Sequence, residues 1–417
     1  MVSSAAGNWQ RVARATQRIA TPLVIRDYRL VWAGQAVSAL GGPLQMIGLT
    51  WLVLNMTGSA VALSGTLLAA ALPAAALKLV GGVMTDRFDP RTVMLWSDAC
   101  RAVVTGVIAV LAWTGTLPLW LLDVLVAVSG LAAGVFAPAA QSIIPRIVPK
   151  EHLEAANALS QGTPQIALLV AAPAGGALIA LVGPAPALAL NAASYGVAVV
   201  AALAMAPLGK ADLTNTRISV WQHARAGWIY MCGQHWLRAL LLLDSAVSFA
   251  GVGLIAIGLP LLARDRPQSG VAGFGLMLAG FGAGSVIGMV IAGGHAPQHR
   301  RGVAFCLLQL GQAPLVAGLT FAPLGPAVAL LALTGLINGI SNVMYMTLVQ
   351  GRVAAAMLGR GMSFVALGSF GLAPFSQVAA GVVGERVGPA TLFLAAGVLM
   401  GAAALSGVFS PSLRHLD

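Results

Sequence analysis

The 417-residue chain is 58% hydrophobic and only 8% charged, with 50 glycines and a net charge of +11. Soluble domains carry roughly 25% charged residues, so this composition excludes a water-soluble globular protein and points to an all-α integral membrane protein. Its three cysteines, Cys100, Cys232 and Cys306, lack the spacing of a disulfide or metal framework.

A hydrocarbon core about 30 Å thick needs roughly 20 apolar residues in a helix. Read with that ruler, residues 1–29 predict a cytoplasmic segment with scattered arginines and no cleavable signal peptide. Six spans follow near 30–54, 60–81, 93–114, 118–138, 159–182 and 187–207, making a first bundle over 30–207. Residues 208–238 are more polar and predict a central cytoplasmic linker. Within it, Trp221, Trp228, Tyr230 and Trp236 alternate with His223, Arg225 and His235, a mixture that also suits a helix lying along the interface. Spans near 239–262, 271–293, 303–322, 327–349, 362–383 and 390–410 make a second bundle over 239–410, and 411–417 form a cytoplasmic tail. Turn chemistry separates many of them, as at Gly115-Thr116-Leu117-Pro118, Gly183-Pro184 and Gly388-Pro389. The expectation is twelve transmembrane helices in two pseudo-symmetric six-helix bundles.

With both termini cytoplasmic, 20 of the 23 lysines and arginines fall in inner loops and span ends, against Arg264, Arg266 and Arg386 outside. This positive-inside bias fixes the orientation. It also absorbs the basic excess as an anchor for anionic lipid headgroups, leaving nucleic acid unsupported as a partner. The halves echo each other: Gly81-Gly82 leads into the basic turn ending at Arg91, and Gly293-Gly294 into the one ending at Arg300-Arg301. Repeats of this kind mark transporters whose halves rock about a central site.

At Gly82-x-x-x-Asp86-Arg87-x-x-x-Arg91 the sequence resembles the major facilitator superfamily signature between spans 2 and 3. The resemblance extends to Gly34–Gly41, Leu54–Ser59, Asp98–Ala102, Pro145–Asn157 and Gly359–Ser363, and so covers nearly the whole chain. It is closest in character to the drug-efflux and enterobactin-exporter branch. The resemblance implies a secondary transporter of the inner membrane that acts by alternating access. It further implies a conformational latch of Gly82, Asp86, Arg87 and Arg91, with Asp98 and Arg101 coupled to it. There are departures. Asp89-Pro90 replaces the usual glycine and basic residue, Val124–Gly134 lacks the arginine of many proton-driven relatives, and Pro173-Ala174-Gly175-Gly176 only partly matches the antiporter motif.

Charges inside spans are costly, at least about 2.5–3.5 kcal/mol on insertion scales, so those that persist are pathway candidates. Lys78 can snorkel to water. Asp98 and Arg101 share a helix face and read as a structural pair. Asp123 and Asp244 are the candidates for proton coupling, and either also fits as an interfacial residue facing water. The six histidines all fall in predicted cytoplasmic segments, which speaks against a mid-membrane histidine relay. The superfamily architecture puts the cavity among polar residues, here Gln35, Gln45, Gln165, Asn338, Asn342, Tyr345 and Gln377, with Trp51, Phe249 and Phe370 as apolar walls. Each of these also fits ordinary packing. The Gly280, Gly284, Gly288 series reads as a smooth packing face. Gly209-Lys210 lacks the upstream glycine of a phosphate loop, and no enzyme motif appears.

The expected function is therefore export of an amphipathic small molecule of drug, antibiotic or siderophore type, driven by proton antiport and needing no cofactor or metal. The expected partners are that substrate, protons and lipid, with a monomer as the working unit. A sensor or assembly protein without turnover, and an uptake permease of the same fold, are the alternatives.

Overall fold

The structure, a computed structural model, describes residues 21–87, 89–207, 229, 233–266, 269–295, 300–353, 371–414 and 416. For 78–87 and 294–295 it describes the helical backbone only. Most of the expected linker, with Trp221, His223 and Trp228, lies outside the described residues. So do Gly359–Ser363, Phe370, His299 and His415, and the first part of the eleventh expected span.

The described residues are helical, and long apolar runs account for it: a backbone whose side chains face lipid satisfies its own hydrogen bonds most simply as helix. In chain order the helices are α1 (Arg26–Thr57), α2 (Ala60–Arg87), α3 (Pro90–Trp113), α4 (Leu119–Ile147), α5 (Leu153–Val182) and α6 (Pro184–Ala204). They continue as α7 (His235–Gly253), α8 (Leu259–Arg264), α9 (Gly270–His295), α10 (Arg301–Gly318), α11 (Leu324–Arg352) and α12 (Ala373–Phe409). A π-helical turn, Leu254–Gly258, runs α7 into α8.

Local chemistry sets several boundaries. Asp89 caps α3 by accepting from the Arg91 backbone N–H (3.1 Å), and Pro90 occupies the first turn, where its missing N–H is no loss. The Asp89-Pro90 departure from the signature is thus a helix start. Gly388 takes φ 84°, followed by Pro389, and divides α12 into two helical segments.

Ten helices among the described residues are long and apolar enough to cross a membrane, with α7 and α8 counted as one continuous segment. Arg301, Gln309 and Gln312 make α10, only 18 residues long, more polar than its neighbours.

Contacts divide the chain into two compact units. Among the described residues, unit 1 comprises 21–49, 69–171 and 182–207, and unit 2 comprises 50–68, 172–181 and the residues from 229 onward. In unit 1, α3 packs against α4 and α6. In unit 2, α10 packs against α11 and α12, α7 against α12, and α9 against α11. The α9–α11 contact is backbone to backbone. A Cβ built on Gly284 would lie 1.8 Å from the Ala332 carbonyl oxygen, and one on Gly335 would lie 2.0 Å from that of Phe281. The glycine series in α9 is thus a packing face, the role small residues serve between membrane helices.

Unit 2 also holds the α1–α2 turn. The Glu385 carboxylate accepts from Ser59 Oγ and from the Val61 N–H (2.8 Å), and Arg264 Nη1 donates to the Gly58 carbonyl (3.0 Å). An acid at the start of α2 meets unpaired N–H groups and a favourable dipole.

Candidate functional site

Each unit contains its own cavity. In unit 1 it measures about 1090 Å³ and is bordered by α1, α3, α4, α5 and α6. Amides dominate its polar lining: Gln35 from α1, Gln141 from α4, and Asn157, Gln161 and Gln165 from α5. The frame behind them is tied across helices. Tyr28 donates to the Ala156 carbonyl (2.8 Å), and Trp32 Nε1 donates to Thr163 Oγ1 (3.1 Å).

Among the described residues, one strong cation lines this cavity, Arg101. Its guanidinium stands 4.3 Å from the Phe136 ring centroid and 4.5 Å from that of Tyr195. Both distances are within cation–π range. The same group is ion-paired through Nη2 to Asp98 Oδ1 one helical turn back, and Asp98 is only 1% exposed. Gln35 hydrogen-bonds the Asp98 carboxylate as well. Asp98 Oδ2 and Arg101 Nε are buried without hydrogen-bond partners. Asp98 itself does not line the large cavity. It borders a separate void of about 10 Å³ together with Gln35 and Arg91, a space matched to about one water.

The unit 2 cavity is smaller, about 330 Å³, and more apolar, with Phe281, Leu331, Phe393 and Met400 among its walls. Its polar lining includes Asp244, Gln309, Gln312, Asn338, Asn342 and Tyr345. Gln312 Nε2 donates to Gln309 Oε1 (3.1 Å), and Phe305 stacks on Tyr345 at 6.0 Å. The π-helical turn contributes Leu254 and Ile255 to the wall. Local π-helix often accompanies functional sites because it re-aims side chains.

The residues expected from the sequence therefore separate. Gln35 and Gln165 line the unit 1 cavity, while Asp244, Asn338, Asn342 and Tyr345 line that of unit 2. Gln45 lines neither: it accepts from Asn191 Nδ2 and, at 3.1 Å, from the Tyr195 hydroxyl. Gln377 has a buried Oε1 without a partner. Asp123 sits half-buried near the start of α4, away from both cavities. Trp51 and Phe249 line neither cavity, and the Phe249 carbonyl accepts from Ser376 Oγ.

Of the latch residues, Gly82, Asp86 and Arg87 lie at the C-terminal end of α2, where only the backbone is described. Arg91 is placed in full. Its Nε donates to the Ala202 carbonyl (2.7 Å) and its Nη2 to that of Leu203 (2.9 Å), capping the C-terminus of α6. The Asp98–Arg101 pair, expected to be coupled to this latch, shares a small void with Arg91 through Asp98 and puts its arginine on the cavity wall.

Sequence reasoning did not select Gln141, Gln161, Gln309, Gln312, Phe136 or Tyr195. A signal existed for one pair: Gln309 and Gln312 are two amides three apart in a transmembrane run, and polar residues there face protein or water. Among the described residues no group of three histidine, cysteine or acidic side chains is arranged to hold a metal ion.

Comparison with known proteins adds the lineage. The family described as transmembrane secretion effector matches residues 18–416. The chain is 26% identical over 398 residues to the multidrug efflux pump Tap of Mycobacterium tuberculosis, covering 93% of this chain and 94% of that one. It is 30% identical over 149 residues to macrolide efflux protein A of Streptococcus pyogenes, a match that spans only 36% of either chain. Among solved structures, the nucleoside transporter NupG superposes with a TM-score of 0.73 at 12% identity, covering 91% of this chain and 100% of that one. The POT family transporter PepTSo superposes with a TM-score of 0.72 at 14% identity, covering 94% and 99%.

Proposed function

We propose, from the premise that this chain belongs to the transmembrane secretion effector family of major facilitator transporters, that it exports an amphipathic, weakly polar or cationic small molecule by alternating access. As a member of that family it is a multi-pass transporter of the bacterial inner membrane. In our reading it crosses the bilayer twelve times with both termini in the cytoplasm. The bend at Gly388, which makes two segments of α12, and the short polar α10 support twelve crossings beside the ten apolar helices. The positive-inside bias supports the orientation.

The observation that carries export is the similarity to a multidrug efflux pump along 93% of the chain. The cavities suit such a cargo. Apolar and aromatic walls offer non-directional burial, and scattered amides offer hydrogen bonds without demanding one shape. Asp244 gives the unit 2 cavity a carboxylate suited to a cationic group. Proton antiport is the proposed drive, with Asp123 and Asp244 as carboxylates able to gain and lose the coupled proton. The α2–α3 turn with Gly82, Asp86, Arg87 and Arg91 is the proposed latch, and the Arg91 cap on α6 supports it.

An uptake permease is the second reading, and the amide-rich lining of the unit 1 cavity favours it. Expression in a host lacking its own efflux pumps separates the two. Export predicts lower accumulation of some members of a drug panel, restored by a protonophore. Higher accumulation of those compounds would instead establish uptake, and no change in any of them would overturn transport of this class. Asp123→Asn and Asp244→Asn then test the two carboxylates, since unchanged export in both would remove them from the coupling.

A further inference from the structure

We propose that Asp98 and Arg101 form a proton-gated charge switch in the unit 1 cavity, in which proton uptake by Asp98 and binding of a cationic substrate weaken one another. The inference rests on the export reading above and assigns a third carboxylate to the coupling, on α3 instead of α4 or α7.

The arrangement is asymmetric. Arg101 faces the cavity, whereas Asp98 lies behind it, 1% exposed, and meets the cavity through Arg101 and Gln35. While Asp98 is ionised the pair is neutral, and the wall presents a guanidinium whose charge is cancelled one turn away. A proton on Asp98 removes that cancellation and leaves a net positive charge on the wall. At an interior dielectric, like charges a few ångströms apart repel strongly enough to weaken binding by about one to two decades. A cation and a proton therefore compete without touching the same atom, and linkage makes the competition reciprocal: cation binding weakens proton binding by the same factor.

The surroundings suit a proton acceptor. Asp98 Oδ2 is buried without a partner and borders the water-sized void shared with Arg91. Among the described residues, the ionisable groups around the pair are Arg91 on α3 and Tyr195 on α6, while α1 and α4 present the neutral Gln35 and Phe136. The rings of Phe136 and Tyr195 hold the guanidinium in place whether or not Asp98 is charged, so the switch is electrostatic and needs no side-chain swing.

The test uses the full-length protein in lipid nanodiscs with ethidium as the cationic probe, its fluorescence read from pH 5 to 9. Wild type is expected to bind progressively more weakly as pH falls, by at most about tenfold per pH unit for one competing proton. Asp98→Asn, which fixes the neutral acid beside a charged Arg101, is expected to bind at least about tenfold more weakly at high pH and to lose that pH dependence. Asp98→Asn with Arg101→Gln restores charge balance. It should regain most of the affinity at high pH while staying insensitive to pH, which loss of structure alone would not produce. If Asp98→Asn does not fold, the double variant decides alone. Persistence of the wild-type pH dependence in either variant, or no recovery in the double variant, overturns the switch. A wild type that exports neutral compounds but binds no cation removes only this inference, and one that exports nothing removes the export reading with it. A wild type that exports with unchanged pH dependence in the variants removes only the inference.

Discussion

Two helices, α3 in unit 1 and α10 in unit 2, carry polar pairs at the same distance from their starts with opposite chemistry. Asp98 and Gln309 each lie eight residues beyond the first residue of their helix, Pro90 and Arg301, and each bonds to the side chain three residues on. In α3 the pair is ionic and its arginine is clamped by two rings; in α10 it is a neutral diamide. Both helices border their unit's cavity. The two helices share the i, i+3 contact and differ in what that contact can do. An ion pair can take up a proton and change the charge of a cavity wall, and two amides cannot.

Stability measurements on the purified protein should separate the two pairs, beginning with the largest effect. Asp98→Ala leaves the part-buried Arg101 without its carboxylate, at an expected cost of about 3 kcal/mol, the low end for breaking a buried pair; thermal or denaturant unfolding in detergent would report it. A single Gln309→Leu strands the Gln312 amide, worth about 1–3 kcal/mol, whereas Gln309→Leu with Gln312→Leu should cost less than the single change. That inversion marks a neutral pair. Phe136→Leu removes one face of the guanidinium clamp, worth about 1–2 kcal/mol for a partly desolvated cation–π contact. The balanced exchange of Asp98→Asn with Arg101→Gln, which copies the α10 chemistry into α3, should lie within about 1 kcal/mol of wild type, as replaced buried ion pairs often do. If it is as damaging as Asp98→Ala, the pair serves the fold and the comparison with α10 fails.

The smallest effect is expected away from both pairs, at Glu385. Glu385→Gln weakens the hold on Ser59 and Val61. In a background lacking the native cysteines, a Ser64→Cys reporter, buried in the present structure, should then label more quickly with an impermeant thiol reagent. Unchanged labelling would show that the contact does not restrain the α1–α2 turn.

How far the sequence foretold this arrangement depends on what each inference needed. Apolar runs and the positions of lysine and arginine are one-dimensional signals, and they pointed to an all-helical membrane chain whose family the comparison established. The spacing of Asp98 and Arg101 also showed that the two share a face. Which way that face turns was not visible, because Arg101 meets the cavity through α4 and α6, whose Phe136 and Tyr195 are separated from it by 35 and 94 residues. Polar residues posed the same difficulty. Gln35 and Gln45 look alike on α1, yet one borders the cavity and the other is consumed by Asn191 and Tyr195. A glutamine in an apolar helix announces that it has a partner, and only the packing reveals whether that partner is protein or cavity.

The account turns on transport of a cationic amphiphile against protons, and reconstitution measures it directly. In proteoliposomes holding a pH-sensitive dye and carrying an imposed proton gradient, ethidium should move against its own concentration gradient only while the proton gradient lasts, with protons flowing the opposite way. Ethidium movement that ignores the gradient, or a gradient that decays at the same rate with and without ethidium, would contradict it.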